Sequence, residues 1–370
     1  MTTNEFDAKW MMQAIANASL SEGLTRPNPP VGAVIVRDGV LLGEGRHHRA
    51  GLEHAEVNAL AACSSDPRGA TAYVTLEPCS THGRQPPCTE ALLKAGISRV
   101  VVSCLDVNPK HAGRGLEILR SHGVEVMENV CRNEGAELLK GFNKHITEAM
   151  PHLTVKLAMT LDGCIADAES SSRWISAEAS RRRVQEMRRR ADVVLVGGAT
   201  AAHDNPSLLY REVCPGEPAA GSKLLRVIVD SRSAIPSDLR VFTDGSASHT
   251  ILVRRSDIAE CTPVPRNVEC WHLPPDADGG FPYRTLLKRL AVEKECLRVL
   301  CEGGGRTAMA LVERDLVDEY ALFYAPGILG DGEAVRAFAG GKRLLPDKKK
   351  VRFTGVEHLG DDVLISAERV

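Results

Sequence analysis

Apolar residues in the first 150 positions recur at helical spacing in some stretches and at strand spacing in others. In the run leading through DAKWMMQAIANASL, Phe6, Trp10, Ala14, Ile15 and Ala18 fall three or four residues apart, which predicts an amphipathic helix. VGAVIVRDGVLLGEG holds two apolar runs about Asp38-Gly39, a dipeptide suited to the tight turn of a β-hairpin. A helix is expected from about His54, then the strand ATAYVTL, a loop, and the helix CTEALLKAG with Gly96 as its C-terminal cap. The strand RVVVSC, the helix LEILRSHG and the strand VEVM follow. Strands separated by helices of this length predict a largely parallel sheet covered by helices.

A further helix from about Asn133 runs out near Met150-Pro151, where the proline marks the expected domain boundary. Beyond it, LTVKLAMTLDGCIA, ADVVLVGG, LLRVIVDS, HTILV, LRVLCEGG and EYALFYAP are candidate strands of a second α/β region. The Pro-, Gly- and Ala-rich stretch near 211–223 is expected to be a surface loop. A chain of 370 residues is long for one domain, so two are expected, 1–150 and 151–370.

Composition narrows the functional classes. A net charge of −2 and only 4% aromatic residues argue against basic grooves and stacking platforms for nucleic acid. No apolar run approaches the roughly 18–20 residues of a membrane span, and the acid-bearing N-terminus does not read as a signal peptide. Eleven scattered cysteines, an odd number, fit a reducing compartment better than a disulfide framework, so a cytoplasmic protein is expected.

The candidate chemistry begins at HAEVNALAAC and LEPCSTHGRQPPC. His54, Cys79 and Cys88 supply one nitrogen and two thiolates, the three protein ligands of a catalytic zinc that keeps its fourth position for water. Zinc lowers the pKa of that water toward about 7. Glu56 suits the carrying of protons from the water to a ring nitrogen and then to departing ammonia. Pro78 and Pro86-Pro87 stiffen the loops that hold the sulfurs. His-x-Glu followed by Pro-Cys and a second cysteine is the pattern of zinc-dependent nucleobase and nucleoside deaminases. A structural zinc site closed by His82 is the alternative. In the second region LRVLCEGGGRTAMAL is a strand, three glycines and a helix start, a turn able to hold a phosphate. Gly303, Gly305 and Ala308 fit Gly-x-Gly-x-x-Ala, but Phe323 stands where a dinucleotide-binding unit carries an acid, which disfavours that fold.

The deaminase pattern usually has two residues between its cysteines; here eight, STHGRQPP, lie between Cys79 and Cys88. With PNPPVGAVIV, HAEVNAL and LDVNPKHAGRGLEILRSHG, this loop resembles the bifunctional riboflavin-biosynthesis deaminase/reductase family of bacteria. KLAMTLDG, RWIS, DNPSLLYR, IVDSR and CEGGGRTAMAL extend the resemblance over nearly the whole chain. Thr81 stands where the family's pattern usually has histidine, whereas His82 is kept. The resemblance implies a cytidine-deaminase-like three-layer α/β/α domain, then a dihydrofolate-reductase-like domain. It implies zinc and NADPH as cofactors and a small-molecule substrate, 2,5-diamino-6-ribosylamino-4(3H)-pyrimidinone 5′-phosphate, deaminated and then reduced from ribosyl to ribityl. Asn28 and His47 are implied near the pyrimidine. Ala158, Trp174, Thr200, Asp204, Ser231 and the stretch Gly304, Gly305, Arg306, Thr307, Ala308, Met309, Ala310 are implied at NADPH. Ser172, Arg188, Leu208, Arg211 and Glu302 are implied at the substrate, with Lys156 at its ribose. The other arginines of SRRRVQEMRRR are read as a solvated helix face. A homo-oligomer, dimer or tetramer, is expected, with neither nucleic acid nor membrane as partner. Two rival readings remain: a deaminase of RNA or a free base, and a zinc-stabilised scaffold without catalysis.

Overall fold

A computed structural model describes residues 3–82, 86–211 and 224–370, the side chains of residues 3 and 4 excepted. The Pro-, Gly- and Ala-rich stretch therefore lies almost wholly outside the described residues. The chain divides into two compact units, Met1–Met150 and Pro151–Val370.

The first unit opens with α1 (Thr3–Ser19) and the hairpin of β1 (Gly32–Arg37) and β2 (Val40–Arg46). Asp38 and Gly39 turn the hairpin at φ 51° and 79°, the mirror-image turn whose twist matches that of the paired strands. Then come α2 (Ala55–Ala61), β3 (Thr71–Leu76), α3 (Cys88–Lys94), β4 (Arg99–Cys104), α4 (Arg114–Ser121), β5 (Glu125–Met127) and α5 (Arg132–Glu148). The sheet order is β2-β1-β3-β4-β5. Only β3, β4 and β5 are mutually parallel; β1 runs antiparallel to both of its neighbours. The expectation of a largely parallel sheet holds for half of it, because the hairpin reverses the chain before the first crossover. Strand alternation then separates two cores. Ala33, Ile35, Ala72, Val74, Val100 and Val102 pack with Ala55, Ala59, Leu92, Leu116 and Leu119 from α2, α3 and α4. Val34, Val36, Tyr73 and Val101 pack with Trp10, Met11, Ala14, Leu138 and Leu139 from α1 and α5. The unit is a three-layer α/β/α sandwich.

One buried polar network pins α1 to the sheet. Asp7, fully buried, accepts hydrogen bonds from Tyr73 Oη at 2.8 Å and from Arg99 Nη1 and Nη2 at 2.7 and 2.8 Å.

The second unit is built on β6 (His152–Thr160), β7 (Cys164–Ala166), α6 (Glu178–Arg190), β8 (Val193–Gly197), α7 (Gly198–Asp204), β9 (Leu225–Asp230), α8 (Arg240–Thr243) and β10 (Thr250–Arg255). It continues with β11 (Glu269–Leu273), α9 (Tyr283–Lys294), β12 (Arg298–Cys301), α10 (Gly305–Glu313), β13 (Glu319–Ala325), β14 (Val335–Arg336), β15 (Val351–Leu359) and β16 (Asp362–Arg369). Nine strands form one sheet in the order β11-β10-β9-β8-β12-β6-β13-β16-β15. From β11 to β13 every pair is parallel; β16 and β15 close the far edge antiparallel. The run LTVKLAMTLDGCIA, read as one strand, is two. Asp162 breaks it by accepting hydrogen bonds from Thr160 Oγ1 at 2.6 Å and from the N–H of Gly330 at 2.9 Å, and Gly163 follows at φ 83°. The short β7 then pairs with β14 in a separate ribbon.

The Asp7 network predicts an acid-dependent stability. Burial alone would raise the Asp7 pKa, but hydrogen bonds from Arg99 and Tyr73 outweigh it and hold the carboxyl below its ordinary 3.8. A depressed folded pKa stabilises the fold above the ordinary value and loses that contribution as pH falls through the folded one. Asp7→Asn should cost about 3 kcal/mol in urea unfolding at pH 7. The gap from wild type should narrow only below pH 3.8. A gap unchanged far into acid would show that the Asp7 charge contributes nothing.

Candidate active sites

In the first unit the position of α2 decides the geometry. A β-carbon on Gly43 would lie 2.4 Å from Ala59 O, and one on Gly45 would lie 2.4 Å from Ala59 N and 2.7 Å from Ala55 O. The helix backbone therefore rests directly on β2. His54 is its N-cap and Glu56 lies in its first turn, buried at 4% exposure. Cys79 follows β3 in the loop after Pro78, and Cys88 opens α3 behind its N-cap Pro87. The Cys88 N–H donates to Cys79 Sγ at 3.3 Å, a donor that favours thiolate over thiol.

These elements bring three donors together. His54 Nδ1 lies 3.5 Å from Cys79 Sγ and 3.3 Å from Cys88 Sγ, and all three atoms lie within 4.8 Å of one another. Zn–S bonds of about 2.3 Å and Zn–N bonds of about 2.0 Å at a tetrahedral angle place nitrogen and sulfur about 3.5 Å apart. The donor set and its spacing fit zinc. Among the described residues no fourth Cys, His, Asp or Glu joins the group. His82, the candidate fourth ligand of a closed structural site, is exposed and bonds Glu90 Oε1 at 3.0 Å instead. Residues 83–85 of the eight-residue loop lie outside the described residues.

Crowded donors shift one another's titration. The hydrogen bond with Cys88, aided by His54, pushes the Cys79 thiol down to about 4. Cys88 is driven up by its bond to Cys79 and by burial. Burial, with the Cys79 charge behind it, raises Glu56 to about 7. A divalent cation among these groups relieves that crowding, because it binds both sulfurs as thiolates.

Asn28 and His47 meet beside this cluster. His47, 2% exposed, stacks edge-on to His54 with ring centroids 5.3 Å apart. Its Nδ1 lies 3.0 Å from Glu53 O, which can only accept, so Nδ1 carries the proton and Nε2 accepts from Asn28 Nδ2 at 3.0 Å. His47 thus fixes which way the Asn28 amide faces. A cavity of about 350 Å³ opens at His54 and Cys88, with Val57, Pro86, Glu90 and Lys94 also in its walls; Asn28 and His47 do not line it.

In the second unit β8 leads on to β9 on one side, whereas β12 leads through α10 to β13 on the other. Between their carboxyl ends lies a topological switch point, where open parallel sheets bind ligands. Two glycine turns meet there. A β-carbon on Gly303 would lie 2.6 Å from Val196 Cα, and one on Gly305 would lie 2.1 Å from Arg336 O. Gly304 has φ 35°, and Thr200 Oγ1 lies 2.8 Å from where its β-carbon would be. Gly303 and Gly305 are thus demanded by packing against the chain itself. The turn leaves the first N–H groups of α10 without intrahelical acceptors, while the Ala308 N–H is bonded to Gly304 O at 3.0 Å. Thr307, Ala308 and Met309 are buried, so their side chains belong to the core. Arg306 is exposed.

Beside the turn is a charged cluster. Arg188 Nε and Nη2 donate to the two Glu302 carboxylate oxygens at 2.6 and 2.9 Å, and Nη1 donates to Leu209 O at 3.0 Å. Lys156, on β6, is half-buried and lies within the fields of Glu302, Arg188 and Asp204. Burial pushes its ammonium pKa down against the pull of Glu302. Burial would raise the Glu302 carboxyl, but Arg188 overrides it and holds Glu302 ionised. Asp204 Oδ1 accepts from Ser172 Oγ at 2.8 Å, tying the loop after β7 to the end of α7. Trp174, 71% exposed, has the Arg181 guanidinium 4.6 Å above its ring, a contact the sequence reading assigned to a solvated face. Leu208 is buried at φ 54°; Ser231 and Arg211 are exposed, and the Arg211 N–H donates to Gln185 Oε1. Ala158 packs against the small core of Val184, Ala321 and Phe323.

A three-layer unit with a His-Cys-Cys cluster, followed by a parallel-sheet unit with a glycine turn and buried charges, defines a two-domain deaminase/reductase. Residues 4–104 match the cytidine and deoxycytidylate deaminase zinc-binding region, and residues 151–365 match the RibD C-terminal domain. The chain is 38% identical to the riboflavin biosynthesis protein RibD of Aquifex aeolicus, covering 99% of both, and 35% identical to that of Escherichia coli, covering 97% and 98%. Acinetobacter baumannii RibD superposes with a TM-score of 0.87 at 34% identity over 99% of both chains. A Thermotoga maritima protein described as a diaminohydroxyphosphoribosylaminopyrimidine deaminase/5-amino-6-(5-phosphoribosylamino)uracil reductase superposes with a TM-score of 0.88, also at 34% identity and 99% coverage of both. The chain belongs to the RibD family, with a cytidine-deaminase-like first domain and a dihydrofolate-reductase-like second.

The α2–β2 contact predicts a stability effect with a functional consequence. Gly45→Ala forces α2 away from β2, which should cost about 1–3 kcal/mol by overpacking. Zinc affinity, read by competition with a chelator, should fall with it because His54 moves. Unchanged melting and unchanged metal affinity together would refute the close-approach argument.

Proposed function

We propose that this chain carries out two consecutive reactions of riboflavin biosynthesis. It deaminates 2,5-diamino-6-ribosylamino-4(3H)-pyrimidinone 5′-phosphate to the corresponding uracil, then reduces the ribosyl group to ribityl with NADPH. The observation that carries the first half is the His54–Cys79–Cys88 triangle with a buried, elevated Glu56 beside it. Bound to His54, Cys79 and Cys88, zinc supplies a water acidified toward neutral pH. Glu56, buried beside the triangle, would carry protons from that water to the ring nitrogen and to the departing ammonia. Asn28, oriented by His47, faces the pyrimidine.

In the second unit NADPH supplies the hydride. The N–H groups of Gly305, Arg306 and Thr307 would hold its phosphates, and Thr200, Ser231, Asp204, Ala158 and Trp174 would hold the rest of it. Arg188 and Glu302 act as a locked pair that orients the substrate, with Lys156 toward the ribose and Ser172, Leu208 and Arg211 beside it. Eleven cysteines, with no disulfide among the described residues, support a cytoplasmic setting. A homo-oligomer is part of the reading: β15 is an edge strand with Val351, Phe353 and Val356 exposed, the kind of edge a second copy covers.

The deciding experiment is Glu56→Gln. It should keep its zinc and its reductase activity on the deaminated phosphate, while ammonia release falls roughly a hundredfold to ten-thousandfold. A zinc-replete variant with near-normal ammonia release would refute the role of Glu56. For the cofactor, Phe323 stands where a dinucleotide-binding unit carries the acid that favours an unphosphorylated ribose, and Arg306 is exposed at the turn. NADPH should be preferred over NADH, and Arg306→Ala should narrow the preference. Equal kcat/KM for the two cofactors in the wild type would overturn this assignment.

A further inference from the structure

Glu77 was not among the residues singled out in the sequence, and the zinc-ligand pattern assigns it nothing. It is 4% exposed and immediately precedes Pro78-Cys79. Its Oε1 accepts from the Gly115 N–H at 2.9 Å, and its Oε2 accepts from the N–H groups of Gly113 at 2.8 Å and Asp106 at 3.3 Å. One carboxylate therefore holds both ends of the 106–115 segment, including the first turn of α4. The contact is close enough to dictate sequence: a β-carbon on Gly115 would lie 2.2 Å from Pro78 O. The segment also carries backbone that needs holding, with Ala112 at φ 31° and Gly113 at φ 90°. A left-handed Ala is costly unless its surroundings fix it.

We propose that Glu77 is a positioning residue for deamination, clamping the 106–115 segment to the Pro78-Cys79 peptide so that the Cys79 sulfur is held at its place in the metal triangle. The proposal rests on the zinc-deaminase reading. The carboxylate charge is what the site uses. Three N–H donors converge on it, and an isosteric amide can accept at one oxygen only, turning its NH₂ toward a backbone N–H at the other. Releasing the clamp lets the Cys79 loop and the 106–115 segment move independently. Groups that orient a metal ligand from behind are worth about 10–100-fold in metal affinity or activity.

The test uses the full chain with Glu77→Gln. The variant should bind one zinc per chain and retain the wild-type reductase rate on the deaminated substrate. Its deaminase kcat should fall about 10–100-fold. With cobalt(II) in place of zinc, its visible ligand-field spectrum should differ from wild type, reporting altered geometry at the sulfurs. A lower melting temperature with unchanged cobalt spectrum and unchanged kcat would make Glu77 merely structural and overturn the proposal. Amide exchange in the wild type tests the clamp independently of metal, activity or folding of the variant. The Gly113 and Gly115 N–H groups should be strongly protected, and exchange at open-loop rates would overturn the proposal. A wild type that releases no ammonia would instead refute the deaminase reading itself.

Discussion

The backbone of α2 lies against β2 at Gly43 and Gly45 with no room for a β-carbon between them. Everything the first unit offers chemically depends on that contact. It sets the height of the α2 N-terminus above the sheet, and with it His54 Nδ1 and the Glu56 carboxylate. The two sulfurs arrive by other routes: Cys79 from the end of β3, locked behind by Glu77, and Cys88 from the start of α3. A nitrogen and two sulfurs within 4.8 Å of one another cannot be assembled by flexible loops at small entropic cost. Here each donor leaves a rigid element within three residues of its end.

The second unit solves a different problem with the same device. Gly303 and Gly305 let β12 and α10 close upon β8 and the 336–337 backbone, which exposes the first N–H groups of α10 at the switch point of the sheet. Parallel pairing places Cys301 opposite Val155 of β6, so Glu302 and Lys156 lie at the same level of the sheet. Arg188 reaches Glu302 from α6. Arg188 and Glu302 are largely buried, but as an ion pair, which is the condition under which burial of charge is tolerated.

Local patterns made the site legible where the chemistry is local. His54, Glu56, Cys79 and Cys88 sit at element ends that the apolar periodicity also marks, and the hairpin turn at Asp38-Gly39 is specified by its two residues alone. What escaped depends on distant backbone. Glu77 gains its meaning from N–H groups of Gly113 and Gly115, which no side-chain pattern reveals. Gly43 and Gly45 read as permissive residues in a strand, although they are required by the helix above. Five arginines of the α6 run read as a solvated face, yet one of them, Arg181, covers Trp174; Arg188, expected at the substrate, turns inward. Mixed strand direction in the first sheet was hidden because periodicity reports which face a residue takes and not which way its strand runs. β15 escaped because its residues are exposed on both faces and lack the alternation that marks a half-buried strand.

Three buried glutamates show how environment and not residue type assigns the role. Around Glu56, burial with the Cys79 charge behind it outweighs the pull of His54 and raises the carboxyl to about 7. Glu302 is just as buried, but the Arg188 guanidinium meets both of its oxygens and holds it ionised, which removes it from proton transfer and makes it a fixed negative anchor. Glu77 meets three backbone N–H groups, so its charge is spent on holding chain segments. Desolvation acts on Glu56 and Glu302 in the same direction, and the partner decides the outcome. Exchanging the partners would exchange the outcomes: an arginine beside Glu56 would pull its carboxyl pKa down, whereas loss of Arg188 would leave burial to raise that of Glu302.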